Sequence, residues 1–168
     1  MKIYPKDTFE IDSTLSAGEI FSSLDAVVEP PKWFRMWSSN AKIYQGNFSC
    51  SNFKIWRIIN YRNSFIPIIE GLITPSATGS HIVITMRLHR FVAAFMLFWL
   101  GGVTTGVVTF LIAAIRGEME PILALFIPLG MLLFGITMTS GCFWWEAKKT
   151  KPFLIELLKG IEQLPTRK

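Results

Sequence analysis

The sequence predicts an α+β membrane protein: a small antiparallel sheet with N- and C-terminal helices, carrying a two-helix transmembrane hairpin. Three observations predict it. First, Phe91–Ile115 and Pro121–Trp145 are uncharged apolar runs of 25 residues each, separated only by Arg116-Gly117-Glu118-Met119-Glu120. About 20 such residues cross a bilayer core as a helix, and without water the backbone must be helical. A five-residue link allows only an antiparallel pair. Second, residues 42–90 show apolar–polar alternation broken by turn residues, the pattern of half-buried strands. Third, apolar residues at helical spacing occur at both ends of the chain, over Ala17–Val28 and Phe153–Ile161.

Composition agrees with that class. Of 168 residues, 51% are hydrophobic and only 17% charged, as in a membrane protein with a modest soluble part. Core helices of soluble proteins seldom run so long without a polar break. The net charge is +5, and it clusters beside the spans. Arg87 and Arg90 precede the first run, Lys148, Lys149 and Lys151 follow the second, and Arg116 stands alone on the link. Positive residues near span ends stay cytoplasmic, so both termini are expected inside. This explains the basic balance without nucleic acid. Met1–Glu10 lacks the apolar core of a signal peptide, so the first span is expected to direct insertion. Cys50 falls in the cytosolic part and Cys142 in a span, which excludes a disulfide framework.

The elements follow in order. Thr8–Ser13 alternates as a short strand. Ser16 with Glu19 makes a capping box, with Leu15 and Ile20 placed as a hydrophobic staple, and Pro30-Pro31 ends the helix. Lys32–Trp37, three aromatics with two cations, reads either as an interfacial anchor or as a loop packed on the domain. Lys42–Phe48 and Phe53–Asn60 are strands, the second apolar on both faces and so expected to be covered on both. Ile66–Thr74 and His81–His89 form a hairpin around Pro75–Ser80 and lead directly into the first span. Pro152–Gln163 is a final helix, expected to dock on the sheet rather than lie on the membrane, since Glu156 and Glu162 disfavour an anionic surface. The chain thus divides into residues 1–90 and 146–168, forming one cytosolic domain, spans at 91–115 and 121–145, and an extracytoplasmic link at 116–120.

The spans carry small residues. Gly102 and Gly106 form a Gly-x-x-x-Gly, and Gly130 and Gly135 are their counterparts in the second run. Small residues let helices approach closely. The expectation is that they pack within the hairpin, with homo-oligomerisation as the alternative. Neither run holds an ionisable residue, which disfavours a conducting path.

Little points to catalysis. His81 and His89 are the only histidines. Eight residues apart on one strand, they stand roughly 26 Å from each other and cannot share a metal from it. No nucleophile elbow, phosphate loop, dinucleotide fingerprint or zinc spacing occurs. No catalytic residue, metal or cofactor is expected. The candidate binding residues are Arg62, Asn63 and Ser64, with Arg87, His89 and Arg90 beside the span: together they suit an anion such as a lipid headgroup. The competing reading makes Asn63 and Ser64 turn residues that cap backbone groups.

The run Tyr61-Arg62-Asn63-Ser64-Phe65, then Pro67 and Gly71, then Thr78–Phe91 leading straight into a span, resembles a group of small bacterial two-pass membrane proteins over residues 42–145. The resemblance implies a bacterial inner membrane and brings no activity or catalytic residues with it. The order strand, helix, antiparallel strands, C-terminal helix is similar to that of helix-grip (START-like) domains, with the hairpin inserted before the last helix. The function expected is a non-catalytic binding or accessory module for a membrane lipid, small ligand or partner protein. The alternatives are an oligomeric transport or channel component and a membrane-bound enzyme.

Overall fold

The computed structural model describes residues 5–31, 42–59, 63–117 and 123–163. Its elements are β1 (Lys6–Ser13), α1 (Ala17–Val27), β2 (Val28–Glu29), β3 (Tyr44–Phe48), β4 (Asn52–Arg57), β5 (Ile68–Ser76), β6 (Gly79–Arg87), α2 (Arg90–Ile115), α3 (Leu123–Leu157) and β7 (Gly160–Gln163). The protein is α+β, with one seven-stranded sheet in the order β2-β3-β4-β5-β6-β1-β7.

Period-2 alternation decides which face of the sheet is covered. Phe9 and Ile11 of β1, Ile82, Ile84 and Met86 of β6, Ile69 and Ile73 of β5, and Phe53 and Ile55 of β4 all point to one side and are buried. Ile20 and Leu24 of α1 and Phe143, Ala147 and Leu154 of α3 complete that core. The other face carries Lys54, Glu70, Thr85, Arg87 and His81, each partly or fully exposed. Three positions on this sheet require glycine, among them Gly46 of β3, where a Cβ would stand 2.2 Å from the Lys54 carbonyl oxygen. Gly79 closes the β5–β6 hairpin with φ +144°, and Gly71 lies under the Phe53 ring, where a Cβ would stand 2.1 Å from a ring carbon.

Helix α1 begins as its capping box dictates. The Ser16 hydroxyl accepts from the Glu19 N–H and the Glu19 carboxylate accepts from the Ser16 N–H at 2.8 Å. Only Leu88 and His89 separate β6 from helix α2, and the His89 ring caps the helix by accepting from the Phe91 N–H at 3.2 Å. α2 packs on α3, with Trp99 and Leu100 facing Gly135. α2 and α3 are both long and apolar enough to cross a membrane.

Four details differ from the sequence expectation. The sheet is mixed rather than antiparallel: β2 runs parallel to β3, with Val28 opposite Tyr44. The hairpin turn is only Ala77-Thr78, because Pro75 and Ser80 pair within the ladder. Strand β4 is covered on one face, since Lys54 is exposed and Trp56 half-exposed. The second apolar run does not stop at Trp145, nor does a separate tail helix begin at Pro152. α3 continues through both to Leu157. The reason is packing: Phe143, Ala147, Thr150 and Leu154 recur on one side and are buried on the sheet. That burial outweighs the one backbone hydrogen bond that Pro152 lacks. Lys159 (φ 44°) then turns the chain, and Gly160–Gln163 pair with β1 as an edge strand instead of a last helical turn. The proposed anchor Lys32–Trp37 lies outside the described residues.

Candidate ligand-binding site

The joint between sheet and helical hairpin gathers the polar chemistry. On one side β6 passes through buried Leu88 and exposed His89 into α2; on the other, α3 runs out of its apolar stretch and onto the sheet. The segment 63–67 that leads into β5 comes down between them. Within it the Asn63 Oδ1 accepts from the Phe65 N–H at 2.9 Å, an Asx turn.

A groove of about 720 Å³ lies between this segment and α3. Its walls are apolar, formed by Phe65, Met138, Gly141, Cys142 and Trp145. One end is polar, with Asn63, Ser64, Glu146 and Lys149. Glu146 is fully buried, and its Oε2 accepts from the Arg57 guanidinium at 3.2 Å. A buried charge needs such a partner. The Lys149 ammonium stands 4.5 Å from the centre of the Trp145 ring. Behind the pair, Tyr44 is buried opposite Arg57 on the sheet with the Thr150 hydroxyl beside its own. Burial pushes the Tyr44 phenol above the ordinary 10.0, so it is neutral at physiological pH.

A second pocket, of about 350 Å³, opens on the uncovered face of the sheet at the same level. Lys54, Trp56, Ile68 and His89 line it, and it shares Asn63 and Ser64 with the groove. A third, apolar crevice of about 500 Å³ runs between α2 and α3 beside Leu88, Met96, Leu100 and Ile136.

The candidate residues read from the sequence are distributed as follows. Asn63, Ser64 and His89 come together at the second pocket. Arg87 is engaged in the sheet, giving two hydrogen bonds to the Glu70 carboxylate at 2.9 and 2.6 Å. These hold the Glu70 carboxyl below the usual 4.5 against the opposing effect of burial, with Lys54, 3.3 Å away, acting in the same direction as Arg87. Arg90 is exposed at the first turn of α2. Arg62 lies outside the described residues. Gly135 sits against α2, where a Cβ would meet the Trp99 ring at 2.3 Å. Gly102, Gly106 and Gly130 have nothing within 4 Å of a Cβ, so the Gly-x-x-x-Gly does not pack within the hairpin as expected. His81 stands away from the joint, between Asp12 at 2.6 Å and Glu10 at 3.7 Å. Among the described residues no three His, Cys, Asp or Glu side chains are grouped to hold a metal.

Sequence reasoning missed Lys54, Trp56, Arg57, Glu146 and Lys149. The signal for Glu146 and Lys149 was present: both follow Cys142 at helical spacing once α3 is taken as continuous. Lys54 and Trp56 share a strand face, but only strand pairing brings them beside residues 63, 64 and 89. No protein family, curated protein or solved structure matches the chain.

Proposed function

We propose that this is a two-pass integral membrane protein whose α+β domain lies on the cytoplasmic surface of a bacterial inner membrane and acts as a non-catalytic binding module for a membrane lipid. Burial supports insertion. A long apolar helix in a soluble core is mostly covered, whereas only 6% and 17% of the most apolar windows of α2 and α3 are buried. The flanking Arg87, Arg90, Lys148 and Lys149 favour the cytoplasmic side for the domain.

The observation that carries the binding role is the groove. It is apolar along Met138–Trp145 and polar at Asn63, Ser64 and Lys149, in the order that an acyl chain and its headgroup require at a membrane surface. Native mass spectrometry of the full chain released from mild detergent tests it. The expected result is a monomer carrying a lipid mass, lost in Gly141→Leu. Gly141 lines the groove and has nothing within 4 Å of where its Cβ would be, so a leucine there takes up groove space. A bare wild-type monomer overturns the lipid reading. A second reading, a homo-oligomer in which transport belongs to the spans, is favoured by the open space beside Gly102 and Gly106. A discrete bare oligomer in the same spectrum selects it.

A further inference from the structure

We propose that the pocket on the uncovered face of the sheet is a phosphate-binding subsite, formed by Lys54, His89, Ser64 and Asn63 over the Trp56–Ile68 floor. This rests on the lipid-binding reading only in the source of the phosphate: the pocket shares Asn63 and Ser64 with the groove, while Lys54, Trp56, Ile68 and His89 belong to it alone.

Hydrogen-bond donors dominate the polar lining of this pocket. The His89 Nδ1 is committed as an acceptor, because it caps α2 through the Phe91 N–H. A neutral imidazole has one donor nitrogen and one acceptor nitrogen. The proton therefore sits on Nε2, and the cap fixes that tautomer. Asn63 is committed in the same sense: its Oδ1 accepts from the Phe65 N–H, so its NH₂ is the end left for a ligand. Ser64 adds a hydroxyl and Lys54 an ammonium. No carboxylate lines the pocket. A lining of this kind is complementary to an oxyanion.

The charges agree. Glu70 is the acid nearest Lys54, yet it is held in two hydrogen bonds by Arg87 and meets Lys54 at 3.3 Å. Neither Glu70 nor Arg87 lines the pocket, so the charged side chain that reaches it is the Lys54 ammonium. The first turn of α2, 26 residues long, adds its positive dipole end beside His89. A tetrahedral oxyanion offers acceptors in several directions and suits convergent donors of this kind. At about 350 Å³ the pocket has room for a phosphate and its ester substituent. The phosphate can belong to a lipid headgroup or be free in the cytosol; the chemistry is shared.

Calorimetric titration of the full chain in a neutral maltoside detergent, with inorganic phosphate and separately with dihexanoyl phosphatidic acid, tests the proposal. The expected result is saturable binding at one site. Loss of one charge-assisted donor should weaken it about ten- to a hundredfold. Lys54→Gln removes the charge. His89→Asp keeps a side chain that caps a helix well but replaces the donor with an anion. Binding of phosphatidic acid alone assigns the phosphate to a lipid; binding of both assigns the subsite to the phosphate group itself. Absence of saturable binding of either probe, or unchanged affinity in either variant with unchanged circular dichroism, overturns the proposal. Gly141→Leu separates the two readings: it is expected to lose lipid from the groove while retaining inorganic phosphate in the pocket.

Discussion

Glu70 shows how a single residue on the uncovered face is stabilised by its neighbours across the sheet. β5 places it opposite Lys54 on one side and Thr85 on the other, and Arg87, two residues from Thr85 on the same face, reaches it diagonally. The Arg87 hydrogen bonds, helped by Lys54 and opposed by burial, keep the carboxyl below its ordinary value. When the folded value is the lower one, the unfolded chain binds more protons as pH falls. The contribution is therefore present above the ordinary 4.5 and lost as pH drops through the folded value. Urea unfolding followed from about pH 5 to about pH 3 should show a decline that is shallower in Glu70→Gln; an equal decline sinks this assignment. At this scale the sequence was only partly legible. Arg87 stood beside a span and read as a headgroup contact, but strand register, which pattern alone does not supply, turns it to Glu70 instead. His89 read the same way, and its role as the cap of α2 depends on β6 ending at Arg87.

The two apolar helices illustrate what periodicity reveals at the scale of elements and what it conceals. Their length and lack of charge were legible from residue types alone. The end of α3 was not, because Trp145 and Lys148 mark an interface and Pro152 marks a break in local terms. Tertiary burial of Ala147, Thr150 and Leu154 carries the helix through both. β7 escaped detection for a related reason. Its four residues extend a stripe of helical period, and it becomes a strand because Ser13 donates to the Leu158 carbonyl at 2.5 Å and β1 offers an open edge. The glycines divide by the same logic of contact. Gly135 touches Trp99, whereas Gly102 faces open space. Gly135→Leu should therefore overpack the α2–α3 seam and cost about 1–3 kcal/mol. Gly102→Leu should leave the thermal midpoint of the monomer unchanged. If both variants lose the same stability in detergent, the Trp99 contact is not what joins the helices.

Across the whole molecule, sheet and hairpin are joined twice without a flexible linker, through Leu88-His89 into α2 and through the unbroken α3. The Arg57–Glu146 pair bridges the two halves, since Arg57 ends β4 and Glu146 lies on α3 just past its apolar stretch. The two partners are not equivalent. The Glu146 side chain is 1% exposed and the Arg57 side chain 34%, so the guanidinium can turn partly toward water and the carboxylate cannot. Removing one member of a fully buried pair costs about 3–5 kcal/mol, mainly by stranding the other charge. Arg57→Met takes one guanidinium from a buried carboxylate that keeps other contacts, and should cost less than that range, about 2 kcal/mol. Glu146→Gln leaves a cation with an exit to solvent and should cost clearly less, about 1 kcal/mol. Arg57→Met combined with Glu146→Leu removes both charges and substitutes apolar contact, so much of the loss should return. Unfolding midpoints of the three variants in one detergent decide the matter. Arg57→Met falling furthest and the double variant recovering identifies the pair as a bridge set by burial. Equal losses in the two single variants, with no recovery in the double, would mean that the halves are held by the apolar contacts of Phe143 and Leu154 alone.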